Sequence, residues 1–235
     1  MSVYAIGDLH LSFNEEKPMD IFGQKWKKHE IQIEYNWLRT IKNDDLVILP
    51  GDFSWAINIQ DALKDFQFLN RLPGKKVFIK GNHDYWWTTL KSMYEFLDEN
   101  EIDSVDFIMN NAIEYENVIV VGTRGWSFND TENSEKMLNR EVIRLKNSIN
   151  YAKENFDLNK KIICAMHYPP ITKTMVEENI QSDYLELLKK YDIKNCLYGH
   201  LHGMSHSEAV EGAIDGVNLK LVSSDYLNFI PYKIA

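Results

Sequence analysis

Seven side chains stand out as candidate ligands for divalent transition-metal ions: Asp8, His10, Asp52, Asn82, His167, His200 and His202. They offer carboxylate and amide oxygens together with imidazole nitrogens, and no thiolate. That mixture suits Mn, Fe, Zn, Co or Ni better than Mg or Ca alone. Seven donors exceed the needs of one tetrahedral site and match two ions that share a bridging carboxylate. The chemistry in view is metal-assisted hydrolysis, because paired ions acidify bound water and hold an anionic substrate. Asp8-x-His10 and His200-x-His202 are alternating pairs. On a strand both members of such a pair face one side, and in a loop they can still converge. Taken singly, each of these residues would be an ordinary turn former or surface histidine.

The elements that must position them are legible as a repeated pattern. A short apolar run rich in β-branched or aromatic residues comes first, then a cluster of Gly, Asp, Asn and His, then a helix-like stretch. Residues 3–6 precede Gly7-Asp8-Leu9-His10, and residues 46–49 precede Pro50-Gly51-Asp52. Residues 76–79 precede Gly81-Asn82-His83-Asp84, residues 161–166 precede His167, and residues 195–198 precede Gly199-His200-Leu201-His202-Gly203. Helices are expected over 26–42, 57–70, 85–99, 132–155 and 180–191. Further strands are expected over 106–109, 112–115, 118–122 and 217–223, with turns at Asn110-Asn111 and Glu116-Asn117. Strands alternating with helices predict an α/β layered sandwich, and the hairpin-like segments add antiparallel pairs. Ligands in such sheets gather at the carboxyl ends of the strands, so residues far apart in sequence should meet at one rim.

The ordered series of five motifs, from Gly7-Asp8-Leu9-His10 through Gly51-Asp52, Gly81-Asn82-His83-Asp84 and His167 to Gly199-His200-Leu201-His202, resembles the calcineurin-like metallophosphoesterase family. The resemblance implies a four-layer α/β/β/α sandwich with two mixed β-sheets. It implies two divalent metal ions as cofactors, one held by Asp8, His10 and His202, the other by Asn82, His167 and His200, with Asp52 bridging. It also implies hydrolysis of a phosphate mono- or diester by in-line attack of activated water. His83 would face the substrate, as proton donor to the leaving oxygen or hydrogen-bond donor to the phosphoryl group. Many family members carry an acidic or histidine partner for that histidine three residues after the bridging Asp. Here that position is Trp55, which leaves Asp84 as the nearest residue to orient His83 and Asp225 as a second.

Arg124, after a predicted strand, reads either as a bidentate phosphate clamp or as an ion-paired surface residue. Trp55, Trp86, Trp87 and Trp126 follow strand-end motifs. They either line a pocket or pack under the helices, and packing is favoured because tryptophan is mostly buried. His29 lies among lysines and reads as solvated, as do Asp44 and Asp45; His206 reads as a polar strand residue. The segment 123–154 is the expected cover for substrate groups.

Composition narrows the partners. The chain has 235 residues, 44% of them hydrophobic, which fits one domain over 1–235 with a sizeable core. No apolar run approaches the roughly 20 residues of a bilayer helix and no signal peptide is visible, so no membrane is expected and a cytoplasmic location is. Cys164 and Cys196 sit in apolar runs and read as buried small hydrophobes. The net charge of −9 disfavours a nucleic-acid partner and with it a nuclease on this scaffold. It leaves a small phosphorylated substrate open, because a metal site sets its own local field. A non-catalytic interaction module is the remaining alternative, set against it by the presence of all seven donors and His83. The oligomeric state has no signature in the sequence.

Overall fold

Alternation of apolar residues along the strands decides how the layers stack. Val3, Ala5, Leu46, Ile48, Val77 and Ile79 share a buried cluster with Val118, Val120, Ile163, Ala165 and Leu197. These belong to two different sheets packed face to face, as the period of two along each strand requires. The structure, a computed structural model, describes residues 1–14, 17–128 and 132–234.

The first sheet has the strand order β11-β1-β2-β3-β4. It comprises β1 (Val3–Ala5), β2 (Leu46–Pro50), β3 (Lys75–Ile79), β4 (Val105–Ile108) and β11 (Tyr232–Ile234). The second has the order β5-β6-β7-β8-β10-β9. It comprises β5 (Ile113–Tyr115), β6 (Val118–Thr123), β7 (Lys161–Met166), β8 (Asn195–Tyr198), β9 (Gly212–Ile214) and β10 (Val217–Leu221). Both sheets are parallel inside and antiparallel at the edge strands β11, β5 and β9.

The outward residues of the first sheet, such as Tyr4, Val47, Leu49, Phe78 and Phe107, pack under α1 (His29–Thr40), α2 (Leu63–Asn70) and α3 (Leu90–Glu99). Those of the second, such as Val121, Cys164, Met166, Cys196 and Tyr198, pack under α4 (Glu132–Asn155) and α6 (Asp183–Lys190). The result is the four-layer α/β/β/α sandwich with two mixed sheets. Among the described residues no helix is long and apolar enough to cross a membrane.

Several helices begin later than their composition suggests, and three short elements are additional. The helix expected over 26–42 begins only at His29, because Lys28 adopts a left-handed conformation (φ 54°) that separates it from the 3-10 turn Gln24–Trp26. The helices expected from 57 and 85 begin at Leu63 and Leu90, after turns that follow the polar motifs; Thr89 caps the latter, its Oγ1 accepting from Ser92 N at 3.2 Å. The short helix α5 (Lys173–Glu177) and the edge strands β9 and β11 were not anticipated. Glu116-Asn117 is a true hairpin turn between β5 and β6, whereas Asn110-Asn111 carries the chain from one sheet to the other.

His29 is not solvated: it is buried against Trp26 and Phe229. Asp45 is buried too, accepting from Ser2 N (2.6 Å) and Lys42 N (2.9 Å) and so tying the start of β1 to the turn before β2. His206 lies in a 3-10 turn, Gly203–Glu208, rather than a strand. Cys164 and Cys196 are free, buried and paired in register across β7 and β8.

Candidate metal centre

The loops after β1, β2, β3, β7 and β8 meet at one rim because these strands are parallel within each sheet and their carboxyl ends share an edge. The loops are joined through their backbones. Asp8 N donates to Gly51 O (2.8 Å), His10 N to Asp52 O (3.0 Å) and Gly199 N to His167 O (3.1 Å). Asp8, His10, Asp52 and His200 all have positive φ, between 47° and 74°. Non-glycine residues rarely hold that conformation unless the surroundings impose it, as at functional sites. Neighbouring loops also come too close for a side chain at Gly81 or Gly199, where a Cβ would collide with the Asp52 and Asp8 carboxylates respectively.

Two groups of donors emerge. Asn82 Oδ1 lies 2.6 Å from His167 Nε2 and 2.9 Å from His200 Nδ1, and those two nitrogens are 3.2 Å apart. His202 Nε2 lies 3.3 Å from Asp8 Oδ1 and 3.3 Å from His10 Nε2. Asp52 stands between the groups, with Oδ2 3.5 Å from His167 Nε2 and 3.8 Å from His10 Nε2. Its Oδ1 accepts from His83 N at 2.8 Å. Carboxylate and amide oxygens converge here with imidazole nitrogens, a donor set suited to cations. The sets Asp8–His10–His202 and Asp8–Asp52–His167 each present ligand atoms within 4.8 Å of one another.

Protonation follows from burial and charge. Burial, then the other imidazoles, holds His10 well below the ordinary histidine range and brings His200 down to about 3. Burial also lowers His167. These rings are therefore neutral, the form that ligates. Burial opposes charge on His202, but Asp8 and Asp225 outweigh it and lift the ring to about 10. Asp52 is pushed up to about 8 by burial and then by Asp8. Burial works against ionisation of Asp8 as well, yet His202, His167 and His10 keep its carboxyl below the usual range.

The ring orientations are set by partners behind the donors. His167 Nδ1 lies 2.9 Å from Pro50 O, which can only accept, so Nδ1 carries the proton and Nε2 the free lone pair. His202 Nδ1 lies 2.8 Å from Asp225 Oδ1, leaving Nε2 toward Asp8 and His10. Asp225 also accepts from Gly203 N (3.0 Å) and approaches His206 Nε2 (3.2 Å). Asp225 thus orients His202, and the expectation that it would orient His83 is corrected. Asp225→Asn is expected to weaken metal affinity about 10- to 100-fold, the usual effect of removing a carboxylate behind a ligating imidazole. Titration with Mn²⁺ checks this, and unchanged affinity would overturn the role.

Asp84 does not reach the ring of His83 as expected. Its buried carboxylate accepts from Asp52 N (2.9 Å), Phe53 N (2.9 Å), Gly81 N (2.7 Å) and Trp86 Nε1 (3.0 Å). Burial and the Asp52 charge push it up to about 6, against the pull of those donors. His83 is held by an aromatic face instead: the Trp55 ring lies 4.6 Å from it and is stacked at 4.9 Å on His10. Among the described residues Nδ1 of His83 is buried without a hydrogen-bond partner. Burial, then His167, lowers its pKa.

Trp86 and Trp87 pack in the core, while Trp55 and Trp126 are only partly buried. His10, His83, His202, Met19, Trp26 and Trp55 line a cavity of about 240 Å³ beside the donors. Arg124 holds the rim through its carbonyl, which accepts from His167 N (3.1 Å) and Tyr168 N (2.9 Å). Its guanidinium lies over Trp126 at 4.6 Å and 4.0 Å from Glu141 Oε1. Tyr168, not singled out by sequence, lies with its ring 4.2 Å from that of His200. Its only signal was its place directly after His167. Of the segment expected to cover the substrate, residues 129–131 lie outside the described residues.

A family model described as calcineurin-like phosphoesterase matches residues 1–204. The chain belongs to the calcineurin-like phosphoesterase family. Solved structures with the same fold include a protein of unknown function, AQ665, from Aquifex aeolicus, at 19% identity and a TM-score of 0.54, covering 99% of this chain and 95% of that one. Another is the phosphopantetheinyl hydrolase PptH from Mycobacterium tuberculosis, at 13% identity and a TM-score of 0.54, with the same coverage. TT1561 of Thermus thermophilus is similar at 14% identity and a TM-score of 0.50, covering 88% of this chain and 85% of that one. At these identities the likeness is one of fold. A comparison with curated proteins finds no match. Trp55, three residues after Asp52, presents an aromatic ring to both His83 and His10.

Proposed function

We propose that this chain is a dinuclear-metal phosphoesterase that hydrolyses phosphate mono- or diesters of a small molecule, with residues 1–235 acting as one domain. The observation that carries the reading is the position of Asp52, within 4 Å of donors from both groups. Asp8, His10 and His202 would hold one divalent ion, and Asn82, His167 and His200 the other, with Asp52 shared. Mn, Fe, Zn, Co and Ni all suit this donor set. When bound, the ions supply water that is acidic near neutral pH and a net positive field for a phosphoryl group.

The protein's own groups do the remaining work. Asn82 contributes a neutral oxygen where a carboxylate would cancel part of that field. His83, held by Trp55 and not by a carboxylate, donates an N–H to a phosphoryl or leaving oxygen. Trp26, Trp55 and Met19 form an apolar wall for the organic part of the ester and exclude water from that side. Two free cysteines across adjacent strands fit a reducing compartment, and the cytoplasm is the proposed location.

Purified protein supplied with Mn²⁺ is expected to release nitrophenolate from p-nitrophenyl phosphate or bis-p-nitrophenyl phosphate. His83→Ala should lower kcat about 10²-fold while metal content is retained. Failure to turn over any phosphate ester with Mn, Fe, Zn, Co or Ni, together with metal content near zero, would sink the hydrolase and leave an interaction module. Metal-dependent cleavage of single-stranded DNA without turnover of small esters would point to a nuclease.

A further inference from the structure

A second cavity, of about 270 Å³, is bounded by Lys80, Arg124, Arg140, Arg144 and Glu141. Its composition runs against the rest of the chain, which carries a net charge of −9. Four cations face one acid. That acid, Glu141, is fully buried and already engaged: Oε2 accepts from Thr123 Oγ1 (2.6 Å) and Oε1 from Arg144 Nη1 (2.9 Å). Arg140 Nε and Arg124 Nη2 stand farther off, at 3.8 Å and 4.0 Å. Nε of Arg124 is buried without an acceptor among the described residues.

Like charges are gathered here against their own repulsion. Among the described residues lining the cavity these cations outnumber the carboxylates, and an anion that joins them offsets their repulsion. Guanidinium forks on two elements, the loop after β6 and α4, suit the tetrahedral face of a phosphoryl group. Arg140 and Arg144 are one helical turn apart on α4 and so share a face.

The chain segments that line this cavity also carry or hold the donors of the metal centre. Lys80 is two residues before Asn82. The Arg124 carbonyl holds the amide of His167. The Tyr168 ring lies 4.2 Å from the His200 ring and 5.9 Å from that of Trp126, over which the Arg124 guanidinium sits. The apolar wall is lined instead by residues beside His10 and His202 and shares none with this cavity.

We propose that the Lys80–Arg124–Arg140–Arg144 pocket binds a phosphate-type anion, and that it seats a second phosphoryl group of the substrate, making the preferred substrates bisphosphorylated small molecules. The second half of this proposal rests on the phosphoesterase reading. The pocket selects substrate by charge, while cleavage takes place at the metal centre.

The test compares alkane-α,ω-diol bisphosphates of increasing length with the matching monophosphates, using Mn²⁺-loaded protein. At one spacer length kcat/KM is expected to favour the bisphosphate by at least about tenfold, and the ratio to collapse toward one in a Lys80→Gln/Arg140→Gln double variant. These two side chains make no hydrogen bond to Glu141 within 3.5 Å, so the variant is expected to fold, which its thermal melt verifies. A ratio that stays unchanged in the folded variant, with both esters still cleaved, overturns the second-phosphoryl site and leaves the phosphoesterase reading standing. Calorimetric titration with sulfate gives an arm independent of turnover. Binding in the parent that is lost in the double variant supports an anion site even if no ester is hydrolysed, and equal or absent binding in both proteins overturns it.

Discussion

Asp52→Asn is expected to lower kcat for an aryl phosphate at least about 10³-fold, roughly 4 kcal/mol of transition-state stabilisation, and to deplete the protein of metal. The substitution keeps the shape of the side chain. Its carbonyl oxygen can still accept the His83 amide, which Asp52 Oδ1 does at 2.8 Å. What changes is Oδ2, the atom 3.5 Å from His167 Nε2 and 3.8 Å from His10 Nε2, which becomes an NH₂ group and presents protons where two cations would sit. The effect is therefore one of charge and donor type, not of packing.

The same argument predicts a thermal signature. Each ion present at about 100 times its Kd adds roughly 2.7 kcal/mol to stability. A chain of this size gains about 2–4 °C per kcal/mol. Chelation should then lower Tm of the parent protein by roughly 10–20 °C, and should barely change Tm of Asp52→Asn. Metal analysis and a melt with and without EDTA measure both. Full metal occupancy in Asp52→Asn with near-parental kcat would remove Asp52 from the bridging position.

Asp84→Ala is expected to destabilise the protein by roughly 3–5 kcal/mol, the scale for exposing several buried donors at once. The carboxylate is buried and receives the amides of Asp52, Phe53 and Gly81 together with the Trp86 indole N–H. Those donors belong to the loops after β2 and β3, so a single acid fixes the loop that carries Asp52 against the loop that carries Asn82 and His83. Asp84→Asn keeps one acceptor oxygen and should recover part of the loss. Urea midpoints for the two variants and the parent provide the measurement. Parental stability in Asp84→Ala with a large drop in kcat would instead restore Asp84 as the residue acting on His83.

Much of this architecture is visible before any coordinates. Short apolar runs ending in Gly-Asp, Gly-Asn-His-Asp or Gly-His-x-His announce strands whose carboxyl ends carry donors, and parallel strands bring those ends to one edge. Element boundaries were less legible. The residues after each motif (57–62 and 85–89) have helix-compatible composition but are drawn into turns by the site loops, so the helices start later. His29 sits among lysines in sequence, yet the turn at Lys28 rotates it inward against Phe229, a neighbour 200 positions away along the chain. The cations of the second cavity come from the residue after β3, the loop after β6, and α4, and of these the sequence singles out Arg124 alone.

The chain's own chemistry determined the kind and number of donors, the alternation along each strand, and the order of the strands and helices that carry the donor motifs. These are properties of residue type and local spacing, which periodicity and side-chain chemistry express directly. Tertiary structure alone decided which nitrogen of each imidazole faces inward, that Asp225 serves His202 and Asp84 serves the backbone, that Trp55 walls His83, and that α4 lays two arginines beside Lys80. Each of those depends on contacts between loops from different strands, and a contact of that kind has no period in the sequence to betray it.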